Sequence, residues 1–265
     1  MTDSRGLRTA IVGLIRLAAM EDELLLLSTA GHDDAGDAHH WAPLPTVAHN
    51  THFKREQVSR LEAVLRHEVP PEFAVVDHTS EATYRAFATL SPALVAETSR
   101  HTADDLVDTL LRLSDDDLMD PSRHEWLRGR PLWLQVIVRG FWHPTGHVGD
   151  WYVANGMTER GVALRRDAVA FAEYLDAPAQ AQGMAWFSLA CTCVVLGSAE
   201  EAVGALERAA TLNHDLRGRV ATEPELEAVR DDRRVVALIY PSGRPSIGGR
   251  PVVMGRRPVG TRPSS

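Results

Sequence analysis

Two segments of this 265-residue chain carry histidines at spacings suited to holding a metal ion. Residues 140–155, GFWHPTGHVGDWYVAN, place His143 and His147 four residues apart. On a helix that spacing stacks the two imidazoles on one face, one turn from each other. Residues 47–55, VAHNTHFKR, hold His49 in an amphipathic helical pattern. If His49 meets His143 and His147 across a helical core, the three make a facial site with positions left open for water or a substrate atom. Three neutral imidazoles leave a divalent ion its full charge, which lowers the pKa of a bound water to about 7 or holds a thiolate. All-nitrogen ligation suits zinc, nickel, iron or copper. The residues alone do not choose among them.

Other polar residues near these segments have two readings each. His52 lies three residues after His49 and is the rival third ligand. Asp150 lies three residues after His147 and is placed to accept the ring N–H of a metal-binding histidine; its plainer role is a solvated charge. Glu56, seven residues after His49, is a candidate general base; its plainer role is at the surface or a cap. Trp41, Phe53, Trp142, Trp151 and Tyr152 flank the histidines as core aromatics, one or two of them open to lining a pocket. The adjacent pair His39 and His40 sits in an Asp/Gly segment and reads as solvated. The sequence contains no P-loop, no GxGxxG, no GxSxG and no HExxH, which removes several nucleotide-binding and hydrolytic classes.

The elements that must position these groups are helical throughout. Leu7, Ile11, Leu14, Ile15 and Ala18 recur at helical spacing, predicting a first helix over 4–29. A polar, Gly-rich loop follows. Proline in a helix's first turn opens a second helix over 44–67, with Val47, Val58, Leu61 and Leu65 as its stripe. Residues 69–91 form a crossover with a short helix over 81–90. Ser91-Pro92 starts a helix through Leu94, Leu106, Leu110, Leu111 and Leu113. Residues 115–129 are acidic, then polar, and read as a loop. The fourth long helix spans 131–155 and stops at Gly156. Pro144 inside it removes one backbone hydrogen bond and predicts a kink or a loosened turn.

After residue 156 the pattern changes to shorter amphipathic helices. They are expected over 159–175, from Pro178 to about 196, and over 199–212, the last led by a Ser198–Glu201 capping box. Trp186, Leu189, Ala190, Gly197, Ala202, Leu206 and Ala209 fall in the register of a tetratricopeptide hairpin. One such repeat cannot bury its own face and must pack on something else. A capping helix is expected over 223–238. Beyond 241 the chain is rich in Gly, Pro, Ser and Arg and reads as a disordered basic tail.

The composition is that of a globular protein, 44% hydrophobic and 24% charged. A net charge of −8 argues against general nucleic-acid binding. No apolar run reaches the roughly 20 residues of a membrane span, and the arginine-broken start does not read as a secretory signal. The cytoplasm is the expected compartment. Cys191 and Cys193, two apart on a helix, point to different faces and read as buried free thiols.

WAPLPTVAHNTHF in a second helix, then HPTGHVGDWY in a fourth, resembles the DinB-like superfamily of four-helix metalloproteins. That group includes ClbS/DfsB-type proteins and proteins of the mycothiol-dependent maleylpyruvate isomerase type. The resemblance covers about residues 5–156. It implies a divalent metal, often zinc or nickel, on His49, His143 and His147. The expected fold is all-α: a DinB-like four-helix bundle over 1–156, a tetratricopeptide-like extension over 157–240 and a tail over 241–265. The implied activity is a metal-dependent hydrolase or thiol-dependent transferase acting on a small reactive molecule. Two non-catalytic readings stand beside it: a structural metal with the repeats docking a protein partner, and sequestration of a toxic small molecule. A homodimer is left open.

Overall fold

The structure is a computed structural model and describes residues 4–28, 41–73 and 81–241. All of its regular elements are helices. The first long helix, α1, spans Ser4–Ser28, and the second, α2, spans Pro43–Leu65. A short α3, Glu81–Ala88, precedes α4, Pro92–Arg112. The fourth long helix is composite: α6, Leu132–Ile137, a π-helical turn at Val138–Trp142, and α7, His143–Ala154. These four long helices pack around one another. Their stripes make the core: Leu7, Ile11, Leu14 and Ile15 from α1, Leu61 from α2, Leu106 and Leu110 from α4, and Val136, Ile137 and Phe141 from the fourth helix. Within the expected α4 stripe, Leu94 and Leu111 instead face solvent.

The π turn is where the structure departs from a regular helix over 131–155. The His143 N–H reaches back five residues to the Val138 carbonyl, the π pattern. Proline at 144 has no N–H for the carbonyl four residues earlier, so the ladder there cannot be α-helical. Gly140 in this turn lets the helix close on its neighbours. A Cβ at Gly140 would lie 3.0 Å from Ile15 and 3.1 Å from Leu106.

Residues 115–129 are more ordered than a loop. Asp115–Met119 forms a short helix, α5, capped by the Ser114 hydroxyl, which accepts from the Asp117 N–H. A 3-10 turn follows at Glu125–Leu127. The fourth helix ends at Gly156, whose φ of 74° only glycine adopts cheaply.

Three helices then pack in sequence: α8, Thr158–Tyr174; α9, Ala179–Val195; and α10, Ala199–Leu212. α9 is buried on two sides. Ala181, Ala185, Leu189 and Cys193 join the core of the long helices. Phe187, Ala190 and Cys191 join a second cluster with Leu206, Leu216 and Leu226. Apolar packing therefore runs without a break across residue 156. The Ser198 capping box is not formed. Gly197 at φ 74° closes α9, with the Ser198 N–H bonded to the Cys193 carbonyl at 2.8 Å. That closure fixes the Ser198 backbone, and Glu201 pairs with Arg166 at 2.6 Å instead. The expected helix over 223–238 is broken into a 3-10 turn at Pro224–Val229 and α12, Arg233–Ile239, and a further helix, α11, Leu216–Thr222, precedes it. Pro224 ends one segment, and the Asp232 carboxylate caps the next by accepting from the Arg234 N–H. The expected tail beyond 241 and the loop with His39 and His40 lie outside the described residues. Among the described residues no helix is long and apolar enough to cross a membrane.

Candidate metal centre

α2 places His49 two turns into the helix, after Pro43 and Pro45 have set its start. Thr46 and Thr51 on either side donate their hydroxyls to the carbonyls of Ala42 and Val47, so they satisfy themselves within the helix. His49 is buried, at 1% exposure. Trp41 and Phe53 meet its ring edge-on at 5.0 Å and 4.8 Å between centroids, and Phe87 of α3 stands at 5.8 Å.

The fourth helix brings His143 and His147 to the same point. His143 is the first residue after the π turn and His147 follows one α-turn later. The three ring centroids form a near-equilateral triangle, with sides of 5.0, 5.0 and 4.6 Å. One nitrogen from each ring can be chosen so that none lies more than 4.8 Å from another. The Nε2 atoms of His49 and His143 are 3.0 Å apart. Two imidazole nitrogens bound to one ion at about 2.1 Å each lie roughly 3 to 4 Å apart, so this group is near the size an ion demands. The 3.0 Å contact also suits a hydrogen bond between neutral rings of opposite tautomer. His143 and His147 each keep part of their surface exposed.

Among the described residues the group contains three residues. His52 is not among them; it turns to Glu56 at 3.3 Å and to the rings of Phe53 and Phe87. Glu56 is buried rather than at the surface, and also pairs with Arg60 at 3.5 Å. Asp150 is exposed, and its carboxylate lies 3.7 Å from Arg165 on α8. Arg165 is itself buried and donates to the Gly146 carbonyl at 3.2 Å. Gly149 makes room for it, since a Cβ there would sit 3.1 Å from the guanidinium. Burial pushes the Arg165 pKa down, against the pull of Asp150.

Sequence reasoning passed over the network that joins the two histidine-bearing helices. Asn50 donates to Asp22 Oδ1 at 2.8 Å and to the Pro144 carbonyl at 3.4 Å. Lys54 donates to Asp22 Oδ2 at 2.5 Å, with the two side chains 0% and 1% exposed. Glu21, next to Asp22, accepts from the Tyr152 hydroxyl at 3.2 Å, and burial pushes that phenol's pKa up. One signal was available: Asn50 and Lys54 lie one turn apart, on a helix whose apolar stripe was already assigned. Both cysteines are buried and free. Burial, aided by Glu201, pushes the Cys193 thiol up to about 11, and burial raises Cys191 further. Neither supplies a thiolate at neutral pH.

Protein-family models, curated proteins and solved structures contain no match to this chain.

Proposed function

We propose that the chain is a DinB-like metalloprotein: a metal-dependent hydrolase or thiol-dependent transferase acting on a small reactive molecule. The observation that carries this reading is the triangle of His49, His143 and His147, whose ligand nitrogens lie within 4.8 Å of one another. Two helices far apart in sequence supply them. A divalent metal, zinc before nickel or iron, would be held by the three imidazoles and would supply Lewis-acid charge at neutral pH. The chain's own contribution is orientation. The Lys54–Asp22–Asn50 network fixes α2 against α1 and the Pro144 turn, and Trp41, Phe53 and Phe87 shield the His49 ring from water. In the transferase form the thiol comes from a co-substrate, because both cysteines are buried with raised pKa values. Glu56 is held by Arg60 and His52, which favours a positioning role over that of general base. Asp150 faces Arg165, which favours a place outside the reacting centre.

The second reading is a binding protein with a structural metal and a tetratricopeptide-like extension over 157–240 that docks a partner. Among the described residues the group has three ligand residues rather than four, which favours the first reading, since structural zinc is usually closed by a fourth protein ligand. Metal analysis of the purified protein tests the centre itself. About one equivalent is expected in the wild type, with most of it lost in His147→Ala and in His49→Ala. Full occupancy in both variants, each folded by circular dichroism, would sink the assignment. Turnover separates the enzyme from sequestration, which predicts ligand binding unchanged by removing the metal.

A further inference from the structure

The least compensated charges near the histidines lie one turn along the same two helices. On α2, Phe53, Glu56 and Arg60 continue the face that carries His49. On the fourth helix Arg139 precedes His143 by four residues, within the π turn. The Arg139 guanidinium lies 4.5 Å over the Phe53 ring, and the same ring contacts His143 at 4.6 Å. One phenyl ring therefore touches both the guanidinium and the imidazole. Arg60 lies 4.6 Å over Phe73 and 3.5 Å from Glu56.

The charges here do not cancel. Glu56 lies 3.5 Å from Arg60, and its charge also reaches Arg139. Arg8, Arg123, Arg166 and Arg234 each have an aspartate or glutamate close by. Arg139 has none among the described residues, and no hydrogen bond either. Its Nε is sealed from water without an acceptor, as is Nη1 of Arg60. A buried donor left unpaired costs free energy, and two cations in mutual range add to that cost. A bound anion would relieve the second. Guanidinium forks suit carboxylate and phosphate oxygens, and stacking on phenyl rings holds the forks in place.

We propose that Arg139 and Arg60 form an oxyanion subsite for the substrate of the histidine centre, so that the substrate carries a carboxylate or phosphate beside its reacting end. This rests on the metal-centre reading for its meaning, but the binding step can be measured apart from it. Phe53 touches both Arg139 and His143, and Glu56 is the positioning residue that holds Arg60.

The test is calorimetric titration of the full chain with benzoate and, separately, with inorganic phosphate, at low ionic strength and with metal content measured on the same samples. Saturable binding of at least one anion is expected in the wild type; which one binds fixes the group as carboxylate or phosphate. Arg139→Met should weaken it roughly 10-fold or more while retaining metal, and Arg60→Gln should also weaken it. The second variant serves if the first does not fold. His147→Ala should lose metal and keep the anion. The proposal is overturned if neither anion saturates the wild type, or if the arginine variants bind as the wild type does. Binding that is lost in His147→Ala and kept in Arg139→Met also overturns it, because the anion then sits on the metal. A wild type that binds an anion through Arg139 but carries no metal would retire the metal centre and leave the subsite standing.

Discussion

Replacing Lys54 with Met is the sharpest test of how the two histidine-bearing helices are held together. Lys54 and Asp22 are a 2.5 Å pair with side chains 0% and 1% exposed. Met keeps the length and most of the apolar stem, so packing changes little. The charge change is what matters. It leaves the Asp22 carboxylate buried with the Asn50 amide as its remaining recorded donor. Stranding one member of a buried ion pair costs about 3–5 kcal/mol, whereas an exposed pair is worth no more than about 1. Urea unfolding followed by far-UV circular dichroism reads the difference, provided the m-value is unchanged. Adding Asp22→Leu to Lys54→Met removes the stranded charge. The double variant should then recover all but about 1–3 kcal/mol, the cost of leaving the Asn50 amide with only its 3.4 Å contact to the Pro144 carbonyl. Metal affinity should fall in Lys54→Met as well, because Asn50 ties α2 to the Pro144 carbonyl beside His143. A loss under about 1 kcal/mol, or strictly additive single and double variants, would refute the reasoning.

Gln57 is fully buried, and neither its amide nitrogen nor its oxygen has a partner among the described residues. Gln57→Met should therefore raise stability by about 1 kcal/mol or more; a lower urea midpoint would show that the amide is satisfied after all. Burial opposes the charge of Asp117, but the Ser114 hydroxyl and Arg123 overcome it and hold the carboxyl below its ordinary value. A depressed folded pKa gives stability that is present above the unfolded value of about 3.9. That stability is lost as pH falls through the folded value. The wild type should lose it below about pH 4, and Asp117→Asn should flatten that part of the profile. Parallel urea midpoints from pH 5 to pH 3 in the two proteins would count against this.

Helices could be read from the sequence because each carries its own periodic stripe. Leu7 through Ala18, and Leu106 with Leu110, are buried at the spacing that 3.6 residues per turn demands. Stops set by local backbone geometry were equally plain, as at Gly156 and Gly197, both at φ 74°. The Ser198 box was misread because the closure of α9 had already fixed the backbone it needed. Leu94 and Leu111 were misread because a stripe does not say how wide a neighbouring helix will cover it.

His49, His143 and His147 stood out by residue type and by the four-residue step between two of them, which a single helix determines by itself. Their meeting depends on how α2 and the fourth helix cross, with Gly140 admitting Ile15 and Leu106 and the π turn resetting the face before His143. Tertiary packing of α8 set Arg165 beside Asp150, whereas the partners of Glu56, Arg60 and His52, lie one turn away on α2 itself. Beyond the one-turn spacing of Asn50 and Lys54, the buried Asp22–Lys54 pair and the unneutralised Arg139 could not be read, because a charge's partner is chosen by distance in space. Sequence determined which faces exist and which chemistry each one carries. Only the packing of those faces decided which charges were matched and which were left over, because Coulomb and hydrogen-bond energies depend on separation and burial, neither of which is a property of the order of residues.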